Sequence, residues 1–241
     1  MQCSYGSIWR KWNFHVHTPY SILNNNYGFN PFELTESDLE TEFDEYVKKL
    51  FTLAVENNVA AIGITDYFML EGYKRIKEKY LSSPSKMLQC FPDDELRRKI
   101  EKIFIFPNIE LRLENFVGRN ANSVNYHVIF SNDITIQDIE ENFLHQLTFN
   151  YDSGNTRSLT LSNIKELGSQ IKNNNNDSGS DLLVGLNHVT VNYADIQKVL
   201  ENNTTFRNKY LITVPVDEDL SQISWNGRDY STRRNIYKQC H

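Results

Sequence analysis

Cysteine is scarce in this chain of 241 residues. Only three are present, at positions 3, 90 and 240, and no two of them form a CxxC pair. The spacing excludes a disulfide framework and a metal site built from thiolates. Any metal site in this chain is therefore expected to use nitrogen and oxygen ligands.

Long apolar runs are also missing. Mean hydropathy is -0.54, and no run approaches the roughly 20 apolar residues that cross a bilayer. The first residues, Met1 to Lys11, lack the order of charged, apolar and small residues found in a secretory signal. We therefore expect a cytoplasmic protein without a membrane partner.

The chain has no excess of positive charge. Its formal net charge is -6 and its pI is about 5.6. Proteins that depend on releasing counterions from nucleic acid are usually basic overall, so broad nucleic-acid binding is disfavoured. A local basic patch, or bound divalent metal, would still allow a phosphate substrate.

Three common catalytic signatures are absent. The sequence contains no GxxxxGK[ST] loop, no GxGxxG turn and no GxSxG elbow. Nucleotide hydrolysis through a P-loop is excluded on that ground.

What the chain does contain is an alternation of strand-like and helical patterns. Apolar residues at helical spacing indicate a helix over 41–58, and buried strands are predicted at Lys11–Thr18, Ala60–Thr65, Ile103–Leu113, Tyr126–Ser131, Leu182–Leu186 and Leu211–Val216. Further helices are predicted at 72–80, 93–102, from Thr135, around 161–171 and at 195–201, with a loop over 172–181. The pattern predicts an α/β fold with a parallel sheet, either open or closed into a barrel.

The sharpest local signal is the pair His15 and His17 within FHVHTPYS. Two residues separated by one position on a strand point to the same face. Imidazole nitrogens on one face can bind one metal together. Two partly buried histidines with ordinary hydrogen bonds remain an alternative interpretation.

Carboxylates follow two other predicted strands. Asp66 in GITDY is able to bind a metal, to orient a histidine ligand or to cap the next helix. Glu110 in PNIEL lies inside an apolar strand, where an unpaired charge is costly. Arg112 is on the same strand face, so a Glu110–Arg112 ion pair is one alternative and a metal held by Glu110 is the other.

Two more histidines lie at predicted strand edges, His127 in YHVIF and His188 in LNH. Each on its own is equally consistent with a structural role. Together with His15, His17 and Glu110 they form a set of hard ligands that suits Zn²⁺, Mn²⁺ or Fe. The sequence therefore predicts a metal site at one edge of the sheet.

These motifs resemble those of the PHP (polymerase and histidinol phosphatase) family. HVHTPYS is similar to its first motif, GITDYF to its second, PNIEL to its glutamate strand and YHVIF to its later histidine motif. The resemblance implies a distorted (β/α)7 barrel and hydrolysis of phosphate esters. It makes His15, His17, Glu110 and His127 metal ligands, with His188 as a further one. Asp66 and Glu110 become candidate catalytic residues, and Arg112 a candidate phosphate ligand.

A narrower resemblance is to the N-terminal PHP region of TrlF-type proteins, and it is carried by the segments GSIWRKWNFHVHTPYSILNNNYG and DEDLSQISW. TrlF-type proteins join this region to an AAA-like ATPase of the kind found in bacterial anti-phage defence and nucleic-acid systems. This implies an ATPase domain or subunit as partner and nucleic acid as a possible substrate. The chain departs from the family at Tyr67, where a histidine is usual. It also has no closing Asp-x-His motif after Leu211.

We accordingly expect one PHP-like domain over residues 1–241, incomplete at the C-terminal end of the barrel, with one or two divalent metals. The first hypothesis is a metal-dependent phosphoesterase, with a nuclease that acts with an ATPase as one form of it. The alternative is a catalytically silent PHP scaffold that binds a partner or nucleic acid.

Overall fold

The computed structural model describes residues 9–24, 26–117, 122–152, 154–175 and 178–213. Its main feature is a five-stranded sheet with the strand order β1-β2-β3-β4-β7. The strands are β1 (Lys11–His17), β2 (Val59–Tyr67), β3 (Phe104–Val117), β4 (Asn122–Phe130) and β7 (Tyr210–Thr213). Strands β5 (Thr148–Asp152) and β6 (Asn155–Ser158) form a separate hairpin, which the sequence patterns did not predict.

The sheet is mixed, so the prediction of a parallel sheet is only partly correct. Strands β1, β2 and β3 are parallel, whereas β4 is antiparallel to β3 and β7 is antiparallel to β4. Only residues 118–121 separate β3 from β4, which is too short for the crossover that a parallel pair requires. Within the described ranges the sheet is open, with β1 and β7 at its edges. The α/β class is therefore confirmed, and these residues do not close a barrel.

Helices follow most of the predicted positions. They are α1 (Glu36–Glu56), α2 (Glu71–Arg75), which continues into a π-helical turn (Ile76–Leu81), α3 (Pro84–Cys90), α4 (Asp94–Ile100), α5 (Ile136–Asn142), α6 (Leu161–Asn175), α7 (Asp181–His188) and α8 (Tyr193–Asn202). The apolar stripe of α1 enters the core, where Phe43, Val47 and Phe51 are fully buried. Thr135, the predicted start of a helix, caps α5 by accepting the Asp138 amide at 3.0 Å.

The prediction of a strand at Leu182–Leu186 is wrong. This apolar run lies in α7, whose N-terminus is capped by Ser180. A short buried run does not distinguish strand from helix by periodicity. Here two glycines decide the packing: a Cβ on Gly168 would lie 1.8 Å from the Asp181 carbonyl oxygen, and one on Gly185 would lie 2.0 Å from that of Ile164. Because neither glycine has a side chain, the backbones of α6 and α7 can pack directly against each other.

Two smaller boundaries also differ from the prediction. Helix α6 continues to Asn175, and α7 begins at Asp181, so the predicted loop over 172–181 is shorter than expected. The last predicted strand is observed as β7 at Tyr210–Thr213, and its predicted residues 214–216 lie outside the described ranges. In the part of the chain that the structure describes, no helix is both long and apolar enough to span a membrane.

Candidate metal centre

One face of the sheet gathers predicted ligands near the C-terminal end of β1 and the middle of β3, where β3 pairs with the last residue of β2. On β3, Asn108 and Glu110 share a face because successive side chains alternate, and Glu110 pairs in register with His127 on β4. The pairing of β1 with β2 shifts by one position between Asn13 and Val16. Bulges of this kind re-aim side chains next to functional sites, and His15 and His17 both reach Glu110.

Three ligand atoms converge at this point. The Nε2 atoms of His15 and His17 are 3.0 Å apart. They lie 3.1 and 3.3 Å from Oε2 of Glu110. Glu110 is 1% exposed, while the His15 side chain is half exposed. The group therefore combines a half-exposed imidazole with a buried carboxylate.

The spacing fits a bound metal ion. Ligands that bind Zn²⁺ tetrahedrally at about 2.05 Å are separated by about 3.3 Å, close to the observed separations. His15, His17 and Glu110 form a group that could hold a metal ion. The nitrogen and oxygen donors match the ligand preferences of Zn²⁺, Mn²⁺ or Fe. The geometry does not select among them.

His127 faces the other oxygen of Glu110. Its Nε2 atom is 4.0 Å from Oε1 of Glu110, and its ring centroid is 4.5 Å from that of His15. His127 is therefore next to the group of three but approaches the opposite side of the carboxylate. Glu110 thus has histidine nitrogens beside both of its carboxylate oxygens.

The protonation states favour ligand binding. Burial acts to raise the pKa of Glu110, but the His15 hydrogen bond and the three neighbouring histidines lower it overall. Burial lowers the pKa of His17, against the opposing effect of Glu110. Burial likewise lowers the pKa of His127 to about 4. Near neutral pH the glutamate is thus ionised and these two imidazoles are neutral, as metal ligands must be.

Asp66 does not reach the ligand atoms; it supports His17 through Ser21. The carboxylate is 1% exposed and accepts hydrogen bonds from Thr18 Oγ1 at 2.6 Å, Ser21 Oγ at 2.9 Å and the Gly72 amide at 2.8 Å. Burial raises its pKa to about 7, although these three hydrogen bonds act in the opposite direction. Of the three roles open from the sequence, the structure shows a hydrogen-bonded link to His17 through Ser21 and acceptance of the Gly72 amide at the start of α2.

Ser21 is the residue that sequence reasoning missed. Its Oγ lies 2.9 Å from Nδ1 of His17, 2.9 Å from Oδ1 of Asp66 and 3.0 Å from the Thr65 carbonyl oxygen. The Thr65 carbonyl oxygen and the ionised form of Asp66 only accept, so in that form the one hydroxyl proton points to them and Ser21 accepts from His17 Nδ1–H. Nε2 of His17 then carries a lone pair toward Glu110. A serine four residues after an HxH histidine was the available signal.

Replacing Ser21 with alanine is expected to weaken metal binding about 10- to 100-fold, the usual cost of losing an outer-shell partner. The alanine leaves His17 Nδ1 without its acceptor, so the ring is free to adopt the wrong tautomer. Titration calorimetry with Zn²⁺ measures the change. Ser85→Ala, at an exposed serine, is the control. Equal affinities in parent and Ser21→Ala would contradict the role of Ser21.

The low pKa of His127 predicts that this group destabilises the metal-free protein in acid, while the raised pKa of Asp66 acts in the opposite direction, so the contribution of His127 is the difference between the parent and His127→Gln. In the unfolded chain this histidine binds a proton near pH 6.5, and in the folded chain only near pH 4. Stability from the neutral ring is therefore present above pH 6.5 and is lost as pH falls toward 4, by up to roughly 3 kcal/mol. Urea unfolding in chelator at several pH values measures this loss. His127→Gln should lose less stability over the same range, whereas the exposed control His145→Gln should behave like the parent.

Arg112 and His188 make contacts different from those predicted. Nη1 of Arg112 donates to the carbonyl oxygens of Asn187 at 2.9 Å and Leu186 at 3.4 Å. No Arg112–Glu110 ion pair is present among the described residues, so that alternative is not observed. His188 is exposed at the end of helix α7, not at a strand end, and its Nδ1 contacts the Val184 carbonyl oxygen at 2.9 Å. It is not part of the converging group.

Tyr67 occupies the position where a histidine was expected from the resemblance. Its ring stacks on His17 with centroids 4.9 Å apart and an interplanar angle of 25°. Burial raises its pKa to about 12, so the phenol stays neutral. Tyr67 therefore packs against a ligand rather than offering an imidazole nitrogen.

Comparison of the chain with protein-family models, with curated proteins and with solved structures gives no match. The resemblance to PHP proteins therefore rests on the short motifs and remains a prediction.

Proposed function

We propose that this chain is a metal-dependent phosphoesterase module of PHP type. The observation that carries the proposal is the convergence of His15 Nε2, His17 Nε2 and Glu110 Oε2 within 3.0 to 3.3 Å of one another. The order of the motifs along the chain and their placement on adjacent strands support it. The finer fold, a distorted (β/α)7 barrel of which this sheet would be one part, belongs to the same proposal.

In this proposal His15, His17 and Glu110 hold one divalent ion, and His127 with Oε1 of Glu110 faces a second position. A divalent ion bound there would polarise a phosphate oxygen and lower the pKa of a water molecule. In the hydrolysis, the water oxygen bonds to phosphorus, the ester P–O bond breaks and the leaving alcohol oxygen takes up a proton.

In the proposal, other residues position the substrate or a metal ligand and do not bind the metal themselves. Arg112 lies two residues beyond Glu110 on the same strand face, with its guanidinium anchored by the Asn187 carbonyl oxygen. A planar guanidinium fixed beside the centre suits the binding of a substrate phosphate. Asp66 orients His17 through Ser21. An ATPase domain or subunit as partner follows only from the TrlF-type likeness and is part of the proposal.

The test is hydrolysis of bis-p-nitrophenyl phosphate and p-nitrophenyl phosphate by protein supplied with Mn²⁺, Zn²⁺ or Fe²⁺. Release of p-nitrophenol that depends on metal, and that is lost in the His15→Ala/His17→Ala variant but kept in His145→Ala, would support the proposal. Metal binding without hydrolysis of these esters or of oligonucleotides would favour the alternative of a silent scaffold.

A further inference from the structure

Asn108 is a buried amide that contacts the ring of His127 within the candidate centre. It is 1% exposed and lies on β3 two positions before Glu110, so the two side chains share one face of the sheet. Its Nδ2 atom lies 2.7 Å from the Phe14 carbonyl oxygen, 2.9 Å from Thr65 Oγ1 and 3.2 Å from Nδ1 of His127. Asn108 therefore meets His127 at Nδ1, whereas Glu110 is nearest to Nε2.

The Phe14 carbonyl oxygen decides which end of the Asn108 amide lies at this point. A carbonyl oxygen only accepts hydrogen bonds, so the atom 2.7 Å from it is the donor Nδ2 and not the acceptor Oδ1. A rotated amide would place two acceptor oxygens at that distance. It would also bury an NH₂ group without a partner, because the site of Oδ1 has no hydrogen-bond partner in the part of the chain that the structure describes. Buried N–H groups without partners are rarer than buried carbonyl oxygens without partners, which favours the observed orientation.

The orientation of Asn108 in turn fixes the position of the proton on the His127 ring. Nδ2 of Asn108 only donates, so a proton on Nδ1 of His127 would face another N–H group across 3.2 Å. The ring therefore carries its proton on Nε2 and accepts a hydrogen bond at Nδ1. Which ring nitrogen can bind a metal is set by the hydrogen bond that the other nitrogen makes. Because Nε2 is protonated, it has no lone pair to offer a metal ion beside Glu110.

The proton on Nε2 of His127 lacks an acceptor among the described residues. Oε1 of Glu110 is 4.0 Å away, beyond the roughly 3.2 Å limit of an ordinary N–H···O hydrogen bond. The His127 side chain is 4% exposed, so bulk water does not replace the missing acceptor. A buried donor without a partner is costly. Beside a candidate metal centre, such a donor indicates a place for an oxygen atom of a bound ligand.

We propose that Asn108 fixes His127 as a hydrogen-bond donor, so that the centre binds one metal ion through His15, His17 and Glu110. At the second position, beside Oε1 of Glu110, Nε2–H of His127 donates to an oxygen of a bound phosphate group. The inference deepens the proposed function, and its phosphate part rests on that function. The position of the ring proton and the single metal ion rest on the contacts of Asn108.

The first experiment locates the ring proton of His127 in the parent chain. It is a long-range ¹H–¹⁵N correlation spectrum of the ¹⁵N-labelled protein in EDTA and then with added Zn²⁺. The signals of His127 are identified by their loss in His127→Gln. We expect a protonated Nε2 and an unprotonated Nδ1, both unchanged by zinc. A proton on Nδ1, or conversion of Nε2 to a metal-bound nitrogen, would overturn the inference whether or not the protein hydrolyses any ester.

Replacing Asn108 with aspartate should reverse the roles of the two ring nitrogens. The new carboxylate accepts from Nδ1–H of His127, which leaves a lone pair on Nε2, so titration calorimetry should show about two equivalents of Zn²⁺ instead of one. The added equivalent should be lost in Asn108→Asp/His127→Gln, and His127→Gln alone should keep the equivalent and the affinity of the parent. Loss of the single equivalent from His127→Gln, or an added equivalent that survives in the double variant, would contradict the role of Asn108.

Binding of inorganic phosphate to the Zn²⁺-loaded chain tests the donor itself. His127→Phe removes the N–H and should weaken phosphate binding roughly 10- to 100-fold, the range for a hydrogen bond to a charged group. His127→Gln keeps an N–H and should lose less. Equal phosphate affinity in the parent and in His127→Phe, at equal metal content, would overturn the donor role. If these results held and no ester were hydrolysed, the proposed function would fail while the assignment of His127 would stand.

Discussion

Replacing Glu110 with glutamine is expected to lower metal-dependent ester hydrolysis at least about 100-fold. Loss of a residue that only supports a metal ligand already lowers metal affinity or activity about 10- to 100-fold. Glu110 is itself a proposed ligand, so its loss should cost more. Its Oε2 faces His15 and His17, and its Oε1 faces His127. The amide keeps the shape of the side chain but replaces one oxygen with a nitrogen that carries two hydrogens and cannot bind a cation.

Initial rates with bis-p-nitrophenyl phosphate at saturating metal, together with Zn²⁺ affinity, measure this effect. Glu114→Gln is the matched control, because Glu114 lies on the same strand and bonds to Asn150 and Asn192 instead of the histidines. If Glu110→Gln retained both metal affinity and rate, Glu110 would be an ordinary ion-pair partner of the histidines and the proposed centre would be wrong.

Replacing Gly63 with alanine is expected to lower the free energy of unfolding by about 3 kcal/mol, at the upper end of the usual cost of overpacking. A Cβ at this position would lie 2.3 Å from the Phe14 carbonyl oxygen and 2.8 Å from the Phe14 Cα. Both are backbone atoms of β1, so the strand itself must move. The same carbonyl oxygen accepts a hydrogen bond from Nδ2 of Asn108 at 2.7 Å. Relief of the clash would therefore also displace His15 from Glu110.

Urea unfolding and Zn²⁺ titration of Gly63→Ala measure the two consequences. Gly28→Ala provides the comparison, since a Cβ there meets no atom within 4 Å and the cost is limited to its backbone φ of 81°, about 1 to 2 kcal/mol. A Gly63→Ala protein as stable as the parent, with normal metal affinity, would show that β1 is not held against β2 as described.

The ligand pattern could be predicted from sequence because it is local. His15 and His17 are two positions apart on one strand, and Glu110 stands out as a charge within an apolar strand. The sequence could not decide in this way whether His127 or His188 is the better candidate ligand. His127 is brought beside Glu110 by the antiparallel return of β4, whereas His188 is carried to a helix end by the packing of α7 on α6.

The supporting shell of the candidate centre depends on contacts between distant parts of the chain. Asp66 is linked to His17 through Ser21. The spacing of these residues along the sequence does not predict such a link. Arg10, Lys102 and Lys209 come together across the sheet, so the acidic composition conceals a local positive patch. Strand direction was misjudged for a related reason: the apolar pattern of β4 is the same whether it runs parallel or antiparallel to β3.

The most direct test of the metal centre is the metal content of the full chain purified without chelator, measured by mass spectrometry beside His15→Ala/His17→Ala and His145→Ala. We expect about one to two equivalents of Zn, Mn or Fe in the parent and in His145→Ala, and almost none in the double variant. No metal in the folded parent, even after loading with Zn²⁺ or Mn²⁺, would contradict the central claim that His15, His17 and Glu110 form a metal centre.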